Sequence, residues 1–134
     1  MVDALNETAV FLQNFPFKQL ILDDVQALLG GWRIVIGGDG TAVIEKVAAG
    51  GRVTKSEQRV DINRFHQLLV EIDFMTIVIP DRAGVADEAR PVITVVNGNC
   101  RSHTVAKWDN DTHARFDAIY EALLALLNVP FRKD

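Results

Sequence analysis

Two tight turns, each flanked by runs typical of β-strands, constrain this chain more than any other feature. The first turn is Gly-Gly-Asp-Gly at residues 37–40, and an alternating apolar and polar run from Trp32 leads into it. The second is Asn97-Gly98, which lies between two runs rich in Val and Thr. Asn-Gly suits a two-residue reversal in which both central residues adopt positive φ. The pattern therefore predicts two antiparallel hairpins.

Each predicted hairpin is followed by an amphipathic helix that opens with Asp and, three or four residues later, Arg-Phe. The residues are Asp61, Arg64 and Phe65 in the first case and Asp111, Arg115 and Phe116 in the second. This shared order predicts that residues 32–73 and 91–127 are two copies of a hairpin-plus-helix unit. In such a repeat Phe65 and Phe116 would occupy equivalent positions in the core.

The first thirty residues show an apolar period of 3.6 and are predicted to be helical. The apolar positions are Leu5, Thr8, Ala9, Leu12 and Phe15 in a first run and Phe17, Leu20, Ile21, Val25 and Leu28 in a second. Pro16 ends or bends the first helix because it lacks a backbone N–H and restricts the residue before it. The second helix is predicted from Phe17 to Leu29, with Gly30-Gly31 at its C-terminal end.

Two further segments are predicted with less local signal. Residues 53–60 alternate charged with small polar residues, which favours a solvated edge strand over an exposed loop. Residues 75–79 are too short for a helix and read as an extended strand, and both strand assignments stay open. Asp61 is expected to cap the helix after it, and either Asp109 or Asp111 the last helix.

Together these elements predict an α+β fold in which helices pack on one face of an antiparallel sheet. The chain of 134 residues is expected to form one domain, with a helical segment at 1–30 and a sheet-and-helix body at 31–134. Such a length buries roughly two thirds of the surface that the unfolded chain exposes. An apolar share of 49% and a charged share of 24% are typical of a globular protein.

Charge and cysteine content exclude several function classes. The net charge is -4 and the basic residues are scattered, whereas nucleic-acid binding needs Lys and Arg concentrated on one face. Cys100 is the only cysteine, so the chain can form neither an intrachain disulfide nor a metal cage built from cysteines. The sequence has no apolar run of about 18 residues, and membrane insertion is not expected. A cytoplasmic location is predicted, with a removed leader as the alternative.

No motif in the sequence predicts a metal site. Asp109-Asn110-Asp111 begins like a calcium loop, but Ala114 stands where that loop needs glycine and Tyr120 where it needs glutamate. The Gly-Gly-Asp-Gly turn lacks the Lys-Ser or Lys-Thr pair and the following helix of a phosphate loop. We therefore expect no bound metal and no cofactor.

Catalytic constellations are also missing. His66, His103 and His113 never fall at the i, i+4 spacing that places two imidazoles on one helix face. Cys100 and His103 are three residues apart, so in a strand their side chains would point to opposite faces. The sequence predicts no catalytic residues and makes a noncatalytic protein the favoured hypothesis.

The candidate binding residues form two groups. They are Arg101, His103 and Lys107 in the last hairpin, and Asp81, Arg82, Asp87 and Glu88 in the long polar loop at residues 81–90. The first group alternates on one side of the hairpin, either as a binding surface or as an ordinary solvated face. The second group lies in a loop of the kind that carries function more often than the elements it joins.

A set of turn residues resembles small bacterial domains that are mostly uncharacterised or borne by lipoproteins. The residues are Gly30-Gly31, Asp39-Gly40, Asp87-Glu88-Ala89 and Asn97-Gly98. Among these domains is the emfourin type, whose members inhibit thermolysin-like metallopeptidases. The resemblance runs from Gly30 to Leu127 and implies a small α+β fold, and it carries over no inhibitory residue.

The sequence as a whole favours a noncatalytic protein-interaction or binding module of a bacterial cytoplasm. Its partner would be another protein or a second copy of the chain in a homodimer, with no role in nucleic-acid binding. The alternative from another class is a small enzyme or ligand-binding domain that uses Arg101, His103 and Lys107 on a polar sheet face.

Overall fold

The computed structural model describes residues 17–26, 30–85, 88–98 and 100–127. These residues form six strands, two α-helices and one short 3₁₀ helix. The strands are β1 (Phe17–Gln26), β2 (Gly30–Gly37), β3 (Thr41–Val47), β4 (Val53–Arg59), β5 (Val92–Asn97) and β6 (Ser102–Ala106). The helices are α1 (Ile62–Ile72) and α2 (Ala114–Leu126), and the 3₁₀ helix is Phe74–Thr76.

All six strands belong to one antiparallel sheet with the order β4-β3-β2-β1-β5-β6. The first four strands form a meander, and the chain then passes through α1 and returns as β5 on the other side of β1. The predicted α+β class is confirmed, with more strand than helix in the described part. The two edges of the sheet are β4 and β6.

One face of the sheet carries the core, because alternate residues of the inner strands are fully buried on that face. The inward strand residues are Leu20, Leu22, Ile34, Ile36, Ala42, Ile44, Ile93, Val95 and Val105. They form one cluster with Phe65 and Leu69 of α1 and with Phe116, Ile119 and Leu123 of α2. Both helices therefore cover the same face, as predicted. The opposite face presents the half-buried side chains of Ile21, Val35 and Val43.

The predicted helix from Phe17 to Leu29 is wrong, because Phe17–Gln26 is the central strand β1. The apolar spacing in this segment fits a helix, but Leu20 and Leu22 point inward while Ile21 points outward, as a strand requires. Pairing with β2 on one side and β5 on the other decides the outcome, since tertiary context overrides local propensity. Residues 27–29 and the helical run predicted before Pro16 lie outside the described residues.

The predicted repeat is not supported. The hairpin β2-β3 is separated from α1 by β4, whereas the hairpin β5-β6 leads into α2 with no strand between. Phe65 and Phe116 are both buried, but the arginines before them differ. Both side chains are exposed, but Arg115 donates to the carbonyl oxygen of Ile72 at 3.1 Å, whereas Arg64 forms no such bond with the described residues. The match between the two stretches is a coincidence of two common residues.

Several local predictions can be compared directly with the structure. Residues 53–59 are indeed an edge strand, and Asp61 caps α1 by accepting from the backbone N–H of Asn63 at 3.1 Å. The cap of α2 is neither Asp109 nor Asp111 but His113, whose Nδ1 accepts from the backbone N–H of Phe116. The predicted strand at 75–79 is absent, since the 3₁₀ helix and an unpaired extended segment take its place.

The hairpin at Asn97-Gly98 is confirmed, and its turn differs in detail from the two-residue reversal. The backbone N–H of Asn97 donates to the carbonyl oxygen of Arg101, so the loop is longer than two residues. Within the described part of this turn, Cys100 adopts a positive φ of 63°. None of the helices described is long and apolar enough to cross a bilayer.

Candidate functional site

Arg82 in the long loop binds two carboxylates at once. Its Nη2 donates to Oε2 of Glu88 at 2.6 Å and its Nη1 donates to Oε1 at 3.2 Å. Its Nε donates to Oδ2 of Asp111 at 3.0 Å, and Nη2 also donates to Oδ1 at 3.1 Å. Paired donation of this kind is the strong geometry for a guanidinium and a carboxylate. The network joins the loop to the turn that follows β6.

Glu88 is the buried member of this network, with a side chain that is only 1% exposed. Besides Arg82, its carboxylate accepts from the backbone N–H groups of Val85 at 3.1 Å and Asn110 at 3.0 Å. The Arg82 guanidinium, aided by these two N–H groups, lowers the pKa of Glu88 from an ordinary 4.5 to about 2. The hydrogen bonds that Arg82 donates to Glu88 and to Asp111 raise the pKa of Arg82.

The depressed pKa of Glu88 predicts acid sensitivity. Since the unfolded chain takes up this proton first, Glu88 contributes stability above about pH 4.5 that is lost as pH falls toward about pH 2. We expect Glu88→Gln to flatten the fall in the free energy of unfolding across this window, measured by urea denaturation at several pH values. Glu121→Gln, at an exposed site on α2, is the control and should leave the slope unchanged. Equal slopes for Glu88→Gln and the unchanged protein would contradict the assignment.

The loop at residues 81–90 packs against the indole ring of Trp108. Its Nε1 donates to the carbonyl oxygen of Arg82 at 3.0 Å. The guanidinium carbons of Arg82 and Arg90 lie 5.5 Å and 5.4 Å from the ring centroid, within the range of a cation–π interaction. Gly84 lies so close to the indole ring that a Cβ added to Gly84 would be 2.3 Å from a ring carbon. The indole and the carboxylates together fix the path of the loop.

The loop residues predicted to bind a ligand therefore act largely on one another. Asp81 accepts from Arg90 at 2.9 Å, and Arg82 and Glu88 are paired as described above. Asp87 lies outside the described residues. The structure thus assigns Asp81, Arg82 and Glu88 contacts that stabilise the loop, while the side chain of Asp81 is 70% exposed.

The structure separates the three candidates of the last hairpin. His103 faces the helices, where its ring meets Phe74 edge-on at 5.3 Å and its Nε2 lies 3.1 Å from the carbonyl oxygen of Ile77. Lys107 is buried and donates to the carbonyl oxygen of Asp111 at 2.7 Å. Arg101 is exposed at the turn. Two of the three candidates, His103 and Lys107, are thus held in contacts within the fold.

Cys100 lies apart from His103 as well. Its thiol is exposed, and the ammonium group of Lys18 lies 3.3 Å from the sulfur. No group of three His, Cys, Asp or Glu side chains that could hold a metal ion occurs among the described residues. The group that the structure describes against the Cys100 thiol is thus the Lys18 ammonium.

At least two clefts lined by described residues open on the surface. One of about 430 Å³ lies between α1 and α2, with Arg64, Glu71 and Leu126 among its lining residues. The other, of about 360 Å³, lies beside β6 and is lined in part by Arg90 and His103. Both are open to solvent, and charged side chains lie beside apolar ones in their lining.

Sequence reasoning missed a buried polar contact between β1 and α2. Asp24 is 1% exposed on the helix-covered face of the sheet, and the hydroxyl group of Tyr120 donates to its Oδ2. Once residues 17–26 are assigned to a strand, the alternation that buries Leu20 and Leu22 places Asp24 inward too. The burial of Asp24 was therefore missed because this segment was predicted to be a helix.

The edge strand β4 is the most accessible part of the sheet. Residues 53–57 are all exposed, on both faces of the strand. The ladder with β3 continues through the bond from the N–H of Val60 to the oxygen of Gly40, at 2.8 Å. In the register of β3 and β4, this bond means that the N–H and C=O groups of the even-numbered residues of β4 are hydrogen-bonded to β3. The N–H and C=O groups of the odd-numbered residues therefore point outward.

The chain matches no protein-family model, no curated protein and no solved structure. The resemblance to the emfourin type stays a prediction. Its residues lie largely at turns and strand ends, such as the turn at Asp39-Gly40, where many unrelated folds need the same residue types.

Proposed function

We propose that this chain is a noncatalytic protein-interaction module that binds its partner by adding a strand to the β4 edge. The observation that carries the proposal is the outward row of backbone groups along the whole of β4. An edge strand with such a row is a template for an incoming strand. Recognition by strand addition takes its affinity from these main-chain groups and its specificity from alternate side chains.

The charges of β4 bear on which strands can be added. Lys55, Glu57 and Arg59 project from the face away from the helices, and charged residues often protect an edge from unwanted pairing. Arg59 is bound within the chain, since it donates to the carbonyl oxygen of Asp39 at 2.9 Å. Lys55 and Glu57 form no ion pair with the described residues. They select against strands of the wrong charge and in favour of complementary ones.

The noncatalytic part of the proposal rests on what the reactive side chains do. The Nε2 atom of His103, the ammonium group of Lys107 and the carboxylate of Glu88 are each held in contacts within the fold. A catalytic group must instead be free to exchange a proton or form a bond with a substrate. We place the module in the cytoplasm, because the thiol of Cys100 is free and exposed and a reducing compartment keeps it so.

The test uses a displayed library of random ten-residue peptides, selected on the immobilised chain. Glu57→Pro removes one outward N–H without removing a bond to β3, and Pro is tolerated on edge strands in this way. Glu57→Ala removes the same side chain but keeps the N–H group. We expect the enriched peptides to bind the unchanged protein and Glu57→Ala but to lose about tenfold or more in affinity for Glu57→Pro.

Two results would overturn the proposal. One is a selection that yields no peptide above background on a chain immobilised so sparsely that two copies cannot pair. The other is a set of peptides that bind Glu57→Pro as tightly as the unchanged protein. Circular dichroism of the three proteins checks that each retains its sheet, so that a loss of binding reports on the edge and not on unfolding.

A further inference from the structure

We infer that the strand that occupies the β4 edge comes from a second copy of this chain. The two copies pair antiparallel through β4 about a two-fold axis that passes through Ser56. This inference rests on the proposed function and names the partner. It is carried by the order of charges along the strand together with the direction of its free backbone groups.

The backbone restricts the registers that two copies can adopt. Only the odd-numbered residues of β4 present N–H and C=O groups at the edge, so hydrogen-bonded pairs must join odd-numbered residues of both copies. A two-fold axis perpendicular to the sheet meets this condition when it passes through a residue. The helices of both copies then lie on the same side of one continuous sheet.

The charges select one of these registers. With the axis at Ser56, Lys55 lies opposite the partner's Glu57, and Glu57 lies opposite the partner's Lys55. Opposite charges directly across two strands stabilise the pair, and like charges destabilise it. An axis at Glu57 would place Glu57 opposite the partner's Glu57 and Lys55 opposite the partner's Arg59. An axis at Lys55 would place Lys55 opposite the partner's Lys55.

The axis at Ser56 also gives the longest overlap. Val53 lies opposite the partner's Arg59, so all seven residues of β4 are paired. Four pairs of odd-numbered residues then form about eight backbone hydrogen bonds. An axis at Gln58 would also match opposite charges, but it would leave the start of the strand without a partner. Overlap and charge therefore agree on a single register.

The residue on the axis suits a close approach. Ser56 would face the partner's Ser56 as a pair without backbone hydrogen bonds, where the Cα atoms come to about 4.5 Å and small side chains fit. Thr54 and Ser56 are exposed although they lie on the helix side of the sheet. The helix layer thus leaves Thr54 and Ser56 uncovered, although it reaches the end of β4 at Gln58, whose Nε2 donates to the carbonyl oxygen of Leu127 at 2.8 Å.

Reversing the charge of Glu57 or of Lys55 tests the pairing of the two β4 strands. Analytical ultracentrifugation of the unchanged chain at rising concentration should show a monomer–dimer equilibrium that weakens with added salt. Glu57→Lys places like charges opposite each other twice, and we expect it to raise the dimer dissociation constant at least about tenfold. Lys55→Glu should do the same. An equimolar mixture of Glu57→Lys and Lys55→Glu should form a mixed dimer, because each lysine then meets a glutamate of the other copy.

Several results would overturn the inference. They are a chain that stays monomeric at several hundred micromolar, a dimer unaffected by Glu57→Lys, and variants that fail to form the mixed dimer although each is folded. Lys55→Glu lies opposite Glu45 within the chain, so Glu57→Lys, which lies opposite Val43, is the variant less exposed to effects on folding. If the chain is monomeric while Glu57→Pro still abolishes peptide binding, the second copy is excluded and the proposed function stands. If both fail, the edge is not an interface.

Discussion

Replacing Gly31 with alanine is expected to lower the free energy of unfolding by about 3 kcal/mol or more. Gly31 is the second residue of β2 and has a φ of +150°, which side chains rarely adopt. An added Cβ would lie 1.8 Å from the backbone oxygen of Asp24 in β1. Since that atom belongs to the backbone of the central strand, the clash can be relieved only by separating β1 from β2. Urea denaturation followed by far-UV circular dichroism measures the loss.

Gly50→Ala is the matched control for this change. Gly50 also has a positive φ, +95°, but an added Cβ there would meet no atom within 4 Å. Its cost should therefore be that of the backbone conformation alone, about 1 kcal/mol. Equal losses for the two variants would mean that β1 and β2 do not approach each other as closely as described.

Replacing Leu123 with alanine is expected to lower the free energy of unfolding by about 2 to 5 kcal/mol. Leu123 is 0% exposed and belongs to the part of α2 that packs against the sheet. The loss combines the transfer of the removed methyl groups with the cavity left among neighbours that relax only in part. Chemical denaturation measures the change.

Val78→Ala provides the control at an exposed site. Val78 is 77% exposed, so removing its methyl groups creates no cavity and should change the free energy of unfolding by less than about 0.5 kcal/mol. A change of that small size for Leu123→Ala would show that α2 presents a different face to the core.

Structural features that depend on residues close together in the sequence were predictable. The hairpin at Asn97-Gly98, the cap at Asp61 and the edge strand at 53–59 all follow from residue types within a few positions of one another. The buried face of α2 belongs to the same class, because its apolar residues recur at helical spacing over thirteen residues. In each case local chemistry and tertiary packing favour the same structure.

The edge strand that forms the proposed interface could also be predicted from residues close together in the sequence. The alternation of Lys55, Glu57 and Arg59 in the sequence is enough to indicate a solvated edge. The direction of the backbone groups, which only the structure gives, was needed to turn that indication into a register. The loop network was outside the reach of sequence reasoning, because Arg82 and Asp111 are 29 positions apart. The loop was recognised, but the role of its charges was not.

By itself, the sequence determined the α+β class, the turns, α1 and α2, and the edge character of β4, because each depends on periodicity or on a few adjacent residues. Only the tertiary structure decided that residues 17–26 are a strand. Their apolar residues satisfy a helix as well as a strand, and β1 is held by hydrogen bonds to β2 and to β5, whose paired residues are about 70 to 80 positions away. Asp24 and Glu88 owe their burial to the same cause, since the groups that satisfy them become neighbours only when the sheet and the helices assemble.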